Sequence, residues 1–314
     1  MKRLLLVVAI VLAACAGVVA LLALGPGSRE FGERRERFPR WEEGQVARAD
    51  HALESDDRQV AVAEFRTLAA RHPDSIFLHL RLGAALRASA EQEEALVAFR
   101  RARELAPDDD KIAVDFLLAL DAVGQQDEAI RVALELAAKP RASATTLAVA
   151  GTLLANNNRV DEALPLLARA VEADPQNDLA WHELGFARSQ MEDGRGAEEA
   201  FSRAIALVPC DLATLHAAAW NALVVLEDDP SARHYAQQAI DCPTGRVKDK
   251  ADFFYLRAEL QLRGNEPEAA VASLSSALEA GYEGREWCAP GSFFDLALGN
   301  REDFRQLAKE CRER

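Results

Sequence analysis

Two windows of the chain share an apolar skeleton and little else. Residues 91–110 read EQEEALVAFRRARELAPDDD, and residues 159–178 read RVDEALPLLARAVEADPQND. Ala95 and Ala163, Ala102 and Ala170, and Pro107 and Pro175 fall at the same offsets, while the charges between them drift. Apolar residues return every three or four positions, the period of one face of a helix. Shifting the chain against itself shows that the match recurs every 34 residues. Pro73, Pro107, Pro175, Pro209 and Pro243 lie on one such grid, with Pro140 one residue short of its slot. Ala61, Ala95, Ala129, Ala163 and Ala197 lie on a second; Gly83, Gly151 and Gly185, with Ala49 and Ala219 standing in, lie on a third. Phe65, Phe99, Leu167, Phe201 and Tyr235 form a fourth.

Each grid has a physical reading. The unit is a pair of antiparallel amphipathic helices, A then B. Gly or Ala is expected where A crosses B closely, Gly83 against Ala95 and Ala102 for example. The bulky Phe or Leu is expected between one hairpin and the next, and proline ends helix B because it has no N–H to donate. Units are expected at 42–75, 76–109, 110–143, 144–177, 178–211 and 212–245, with a looser seventh at about 249–281. Three of them are degenerate: the first, the third, where VALELAAKP lacks the bulky aromatic, and the sixth, where DDPSARHYA puts Ser231 in an alanine slot.

Composition agrees with an all-α chain. Ala and Leu dominate its 314 residues and aromatics make up only 6%, a mixture that favours helix. The net charge of −14 argues against nucleic acid, which needs a basic face.

The N-terminus stands apart. After Lys2 and Arg3 come 21 uncharged, mostly apolar residues, Leu4 to Leu24, about 31 Å as a helix and enough to span a bilayer. LAAC at Leu12–Cys15 resembles a bacterial lipobox, so Cys15 is a candidate for lipidation, although Val18–Leu24 stays apolar beyond it. An uncleaved signal anchor, a lipoprotein signal and an ordinary cleaved signal all fit. In each case the rest of the chain is tied to, or sent across, a membrane, and a charged linker follows residues 1–24 at 25–41. Counting Lys and Arg alone, the five arginines between Arg29 and Arg40 favour a cytoplasmic domain. The three-residue charged start favours export.

Beyond Cys15 there are four cysteines, Cys210, Cys242, Cys288 and Cys311. An even number suits two disulfides in an oxidising compartment, and free thiols the cytoplasm. No metal-ligand spacing joins them to a histidine, so no metal is expected. No phosphate loop, HExxH, GxSxG or dinucleotide turn occurs, so neither a cofactor nor a catalytic residue is expected and the chain reads as no enzyme.

Period and residues together resemble the tetratricopeptide repeat family, most closely in LHLRLGAALRASAEQEEALVAFRRARELAPDD at 78–109 and LAWHELGFARSQMEDGRGAEEAFSRAIALVP at 179–209. The resemblance implies a right-handed α-solenoid of six to seven repeats over 42–281. The segment 282–314 then forms a helical cap, with Phe304 and Leu307 facing inward and Cys288–Cys311 as a staple. A bond between Cys210 and Cys242, at the ends of successive units, is plausible but must bring closer together helices that usually lie about 8–10 Å apart. The resemblance also implies a concave groove lined from helix A. Its fifth-position row is Val46, Leu80, Val114, Ala148, His182, His216 and Phe254; its ninth is Asp50, Ala84, Leu118, Thr152, Phe186, Trp220 and Ala258. The groove is thus aliphatic first and aromatic with histidine later. It departs from the basic, Asn-rich carboxylate clamp of some members.

The expected function is a non-enzymatic protein-interaction scaffold at a bacterial membrane. Its groove takes an apolar or amphipathic peptide segment of a partner, with aromatics as anchors, in envelope assembly or secretion and facing the periplasm. The alternatives are a cytoplasm-facing inner-membrane adaptor and a regulatory subunit of an enzyme complex.

Overall fold

The computed structural model describes residues 39–313 apart from 56, 141 and 244. The segment 1–24, most of the linker 25–41 and Cys15 lie outside the described residues. Among the described residues every regular element is helical, and no helix is long and apolar enough to cross a membrane. The chain divides into two compact units, before and after the boundary at Asp174 and Pro175.

The first unit holds four hairpins: α1 (Arg40–Glu54) with α2 (Arg58–Arg71), α3 (Ile76–Ala88) with α4 (Gln92–Leu105), α5 (Asp110–Ala122) with α6 (Gln126–Ala137), and α7 (Ala144–Asn156) with α8 (Val160–Ala173). The second holds three more: α9 (Asp178–Gln190) with α10 (Gly194–Leu207), α11 (Leu212–Trp220) with α12 (Asp229–Asp241), and α13 (Ala251–Arg263) with α14 (Pro267–Glu279). Two short helices follow, α15 (Phe293–Leu298) and α16 (Glu302–Glu313).

Local chemistry sets the helix ends. Ser75, Asp109, Ser143, Asn177 and Asp211 stand 34 residues apart, one before each of α3, α5, α7, α9 and α11. Each accepts a hydrogen bond from a backbone N–H of the first turn, satisfying a donor the helix itself leaves unpaired. The turn from A to B repeats as well. Glu91, Gln125, Arg159 and Asp193 each donate an N–H to the carbonyl five residues back, the closure of a helix by a left-handed residue. That residue is Ala90, Gly124, Asn158 or Glu192, with φ between 59° and 74°.

Packing inside a hairpin differs from the sequence expectation. A Cβ built on Gly83 would lie 2.8 Å from the Phe99 ring, one on Gly151 2.6 Å from Leu167, and one on Gly185 2.7 Å from Phe201. The glycine therefore clears space for the bulky side chain of its own hairpin. Helix backbones do not demand it, and the bulky residue is not reserved for the next hairpin. The same two slots of the third repeat hold Leu117 and Ala133, both fully buried. Large and small have changed places, so the unit judged degenerate for its missing aromatic keeps its interior filled.

The sixth repeat carries one extra residue. After Trp220 the chain runs through a π-helical turn, Asn221–Val225, and Asp228 donates to the carbonyl of Ala222, six residues back. Asn221 is 1% exposed and holds the wide turn. It accepts from Ser189 Oγ at 3.0 Å and donates to the Gly194 carbonyl at 2.9 Å. The insertion shifts helix B, so that Ala232 fills the slot expected at Ser231, and Ala236 the one expected at Tyr235. Such bulges are how a helix absorbs a single insertion.

In the seventh repeat the 3-10 turn Val247–Lys250 delays helix A until Ala251. Ala258 then takes the glycine slot and packs into a cluster with Leu274, Trp287, Phe294 and Phe304. Cys288 and Cys311 join this cluster with Cα atoms 6.3 Å apart, and Arg312 Nη1 donates to the Cys288 carbonyl at 2.7 Å. The Cα atoms of Cys210 and Cys242 are 5.6 Å apart. Helix spacing does not keep this pair apart, because Cys210 lies beyond the end of α10 and Cys242 caps α12. At such ends the turns approach more closely than helix axes do.

Candidate partner-binding face

The two units present their groove slots differently. In the first, Val46 and Ala148 are buried and Leu80 is 2% exposed. Leu80 is thus a core residue and cannot meet a partner. Helix α3 is apolar on most sides, with Phe77, Leu78, Leu80 and Leu86 all buried, and a helix of that kind is enclosed by its neighbours. Asp50 is ion-paired with the buried Arg81, and Thr152 Oγ1 donates to the Ala148 carbonyl at 2.9 Å. What remains accessible among the apolar slots is Ala84, Val114 and Leu118, all half-buried. Asp121, three residues past Leu118, has its carboxyl pushed up from the usual range by burial.

In the second unit the fifth and ninth slots of repeats five and six carry His182, Phe186, His216 and Trp220, all half-buried. Phe186 packs against the core formed by Phe201, Leu215, Phe253 and Leu260. His182 meets the Phe201 ring edge-on at 6.0 Å, and its Nδ1 lies 2.9 Å from Thr214 Oγ1. Thr214 donates its hydroxyl proton to Asp211, the cap of α11, so it must accept from His182. The hydrogen bond therefore places an imidazole proton on Nδ1. His216 meets Phe253 edge-on at 5.8 Å. Burial lowers its pKa from the usual histidine value, and Asp252 opposes that only partly.

Trp220 is the sharpest feature of this face. Its Nε1–H is sealed from water and has no acceptor among the described residues. Buried polar groups are nearly always paired, and one left alone costs about 1–3 kcal/mol.

Phe254 does not occupy the fifth slot. With helix A beginning at Ala251, that slot falls on Tyr255, and Ala258 leaves the ninth-position row for the interior. The Arg257 guanidinium lies over the half-buried Phe254 ring, 5.3 Å from its centre. Tyr255 stacks on Tyr282 at 4.6 Å and meets Phe294 edge-on. Burial pushes its hydroxyl up to about 12. The tail thus covers the seventh repeat's slot, leaving repeats five and six as the accessible aromatic face of this unit. Sequence reasoning named the histidines and aromatics but not Thr214, Asp211 or Asn221. The first two were visible as a cap motif; Asn221 was hidden by the one-residue insertion. Among the described residues no cluster of His, Cys, Asp or Glu could hold a metal ion.

Residues 144–187 match the family model described as "Tetratricopeptide repeat". The chain is also similar to the crystal structure of a tetratricopeptide repeat protein from Parabacteroides merdae, with 16% identity and a TM-score of 0.59 over 86% of this chain and 98% of that one. The fold is a tetratricopeptide-repeat fold. Two larger proteins share it. One is in the Cut9–Hcn1 hetero-tetramer of the APC/C: 17% identity and a TM-score of 0.57 over 84% of this chain and 48% of that one. The other is the human IFIT1 dimer with m7Gppp-AAAA: 16% identity and 0.57 over 82% and 68%. No curated protein sequence matches the chain.

Proposed function

We propose that this tetratricopeptide chain is a non-enzymatic scaffold, tethered to a bacterial membrane by residues 1–24, that holds an apolar or amphipathic peptide segment of a partner. The observation that carries the reading is the unpaired, water-excluded Nε1–H of Trp220, flanked by the half-buried Phe186, His182 and His216. A backbone carbonyl of an incoming segment would satisfy the indole once a movement of the ring or its neighbours uncovers the N–H. The rings beside it offer the buried area that makes aromatic residues effective anchors. Solenoids of this kind are interaction surfaces, and the similar Cut9–Hcn1 structure is itself a hetero-oligomer. Four cysteines in two close pairs support the periplasmic side, where disulfides persist, and an envelope assembly or secretion partner.

The test is a panel of immobilised peptides, apolar, amphipathic and acidic, presented to the full-length chain. Apolar and amphipathic peptides should bind, with Trp220→Phe weakening them about fivefold by removing one hydrogen bond. Binding that ignores both Trp220→Phe and Phe186→Ala would remove this face from the function.

A further inference from the structure

A second site lies away from the aromatic face, in a cleft of about 430 Å³ lined by Pro230, Arg233, His234, Gln237, Arg257 and Gln261. It forms where α12 meets α13. No acidic residue lines it, in a chain with 51 acidic and 37 basic residues.

The repeat itself shows that these polar residues are a departure. Aligned on the starts of helix A, the slot of Arg257 holds Leu82, Phe116, Ala150, Leu184 and Ala218 in the five preceding repeats. The slot of Gln261 holds Leu86, Leu120 and Leu154 in repeats two to four, Arg188 in repeat five and Ala222 in repeat six. The slot of Ser273 in helix B holds Ala98, Val132 and Ala200 in repeats two, three and five. Packing alone asks for neither Arg257 nor Ser273.

Their hydrogen bonds run in one direction. Arg257 Nε donates to Ser273 Oγ at 3.0 Å, and Ser273 donates to Gln261 Oε1 at 2.7 Å. Arg257 Nη1 donates to Gln237 Oε1 at 3.4 Å, and Gln237 Nε2 donates to Asp241 at 2.8 Å. Arg233 is engaged by Glu266 at 2.8 Å and by the Leu260 carbonyl at 3.1 Å. Both glutamine carbonyls are thus consumed inside the network, and among the described residues Nη2 of Arg257 and the amide N–H of Gln261, two residues that line the cleft, are left without an acceptor. Among the described residues no carboxylate stands in ion-pair contact with Arg257. Burial lowers its pKa, offset in part by Asp241.

We propose that this cleft binds a carboxylate group, received by Arg257 and Gln261 and held against the Gln237 and His234 side of the opening. A guanidinium and an amide side by side offer two N–H donors to the two oxygens of one planar group. The overall negative charge does not forbid this, because exposed charges beyond about 8–10 Å are largely screened at physiological salt. A singly charged carboxylate also meets less repulsion than a phosphate.

The test is a titration of the full-length chain with sodium acetate and, separately, inorganic phosphate, read on the 15N side-chain signals of arginine and glutamine. Acetate should shift the Arg257 and Gln261 signals saturably, with a Kd on the order of 1–10 mM. Arg257→Leu, which restores the residue type of repeats two and five, should keep the helix content and abolish the shift. Should that variant fail to fold, Gln261→Leu serves, with binding at least fivefold weaker. Saturation by phosphate without acetate would overturn the carboxylate assignment. Silence from both up to about 100 mM would overturn the site and leave the aromatic face untouched.

Discussion

The second and seventh repeats have the same two-helix architecture but different interiors. Repeat two fills corresponding slots with Leu82, Leu86 and Ala98; repeat seven fills them with Arg257, Gln261 and Ser273, joined by hydrogen bonds. Repeat two clears a glycine for the Phe99 ring, whereas repeat seven opposes Ala258 with Leu274. The difference teaches that the hairpin demands a filled, satisfied interior and not particular residues. Volume can move from one helix to the other, and polarity can enter if every donor and acceptor inside is matched. Where polarity enters without apolar need, function is the economical explanation.

The largest expected effect tests the volume rule. Phe99→Ala should cost about 4 kcal/mol and Gly83→Leu about 3 kcal/mol, measured by urea unfolding. The double variant recreates the arrangement of the third repeat and should cost well under their sum. Simple additivity would show that the slots do not exchange volume. Next, Cys288→Ser should destabilise the tail by about 3 kcal/mol in the chain-entropy model. Hydrogen exchange should localise the loss to α15 and α16; uniform loss across both units would deny those helices their separate role.

Ser273→Ala strands the Arg257 Nε and should cost about 1–2 kcal/mol, against near neutrality for Ala98→Ser, if the polar interior is a matched network. A smaller change separates the histidines. His216 has a folded-state pKa below its unfolded value, so its contribution to stability is complete above pH 6.5 and is lost as pH falls toward the folded value. Melting temperature should drop between pH 7 and 5.5, and His216→Phe should flatten that drop. The smallest effect sits in the A-to-B turns. Glu192→Gly relieves a positive φ of 61° and should gain about 1 kcal/mol, whereas Gly124→Ala should lose a similar amount.

The helices and their phase were legible because alanine, glycine and proline on a fixed period report close packing and helix ends directly. The capping grid Ser75, Asp109, Ser143, Asn177 and Asp211 keeps the same period but went unread, because its residue type varies. The left-handed turns were not legible, since Ala90 and Glu192 adopt a conformation neither residue advertises. The candidate face was half legible. Position alone marked His182, Phe186, His216 and Trp220, but position could not say that Leu80 is enclosed. Nor could it say that the 3-10 turn Val247–Lys250 moves Phe254 out of register. Insertions of one to a few residues defeat a fixed period, because they shift every later slot without changing composition.

The pairing of Cys210 with Cys242 has a mechanical consequence. It joins the turns after helix B of two successive repeats, at one edge of the stack. Springs built of stacked hairpins stretch by parting neighbouring coils; a disulfide at this rim would forbid that mode for repeats five and six. The pair would be left with rotation about the tied rim, like a book opening on its spine. The slot around Trp220 would then widen by changing its angle and close again to the same register, so the segment proposed to seat there would be clasped by a hinge of fixed length.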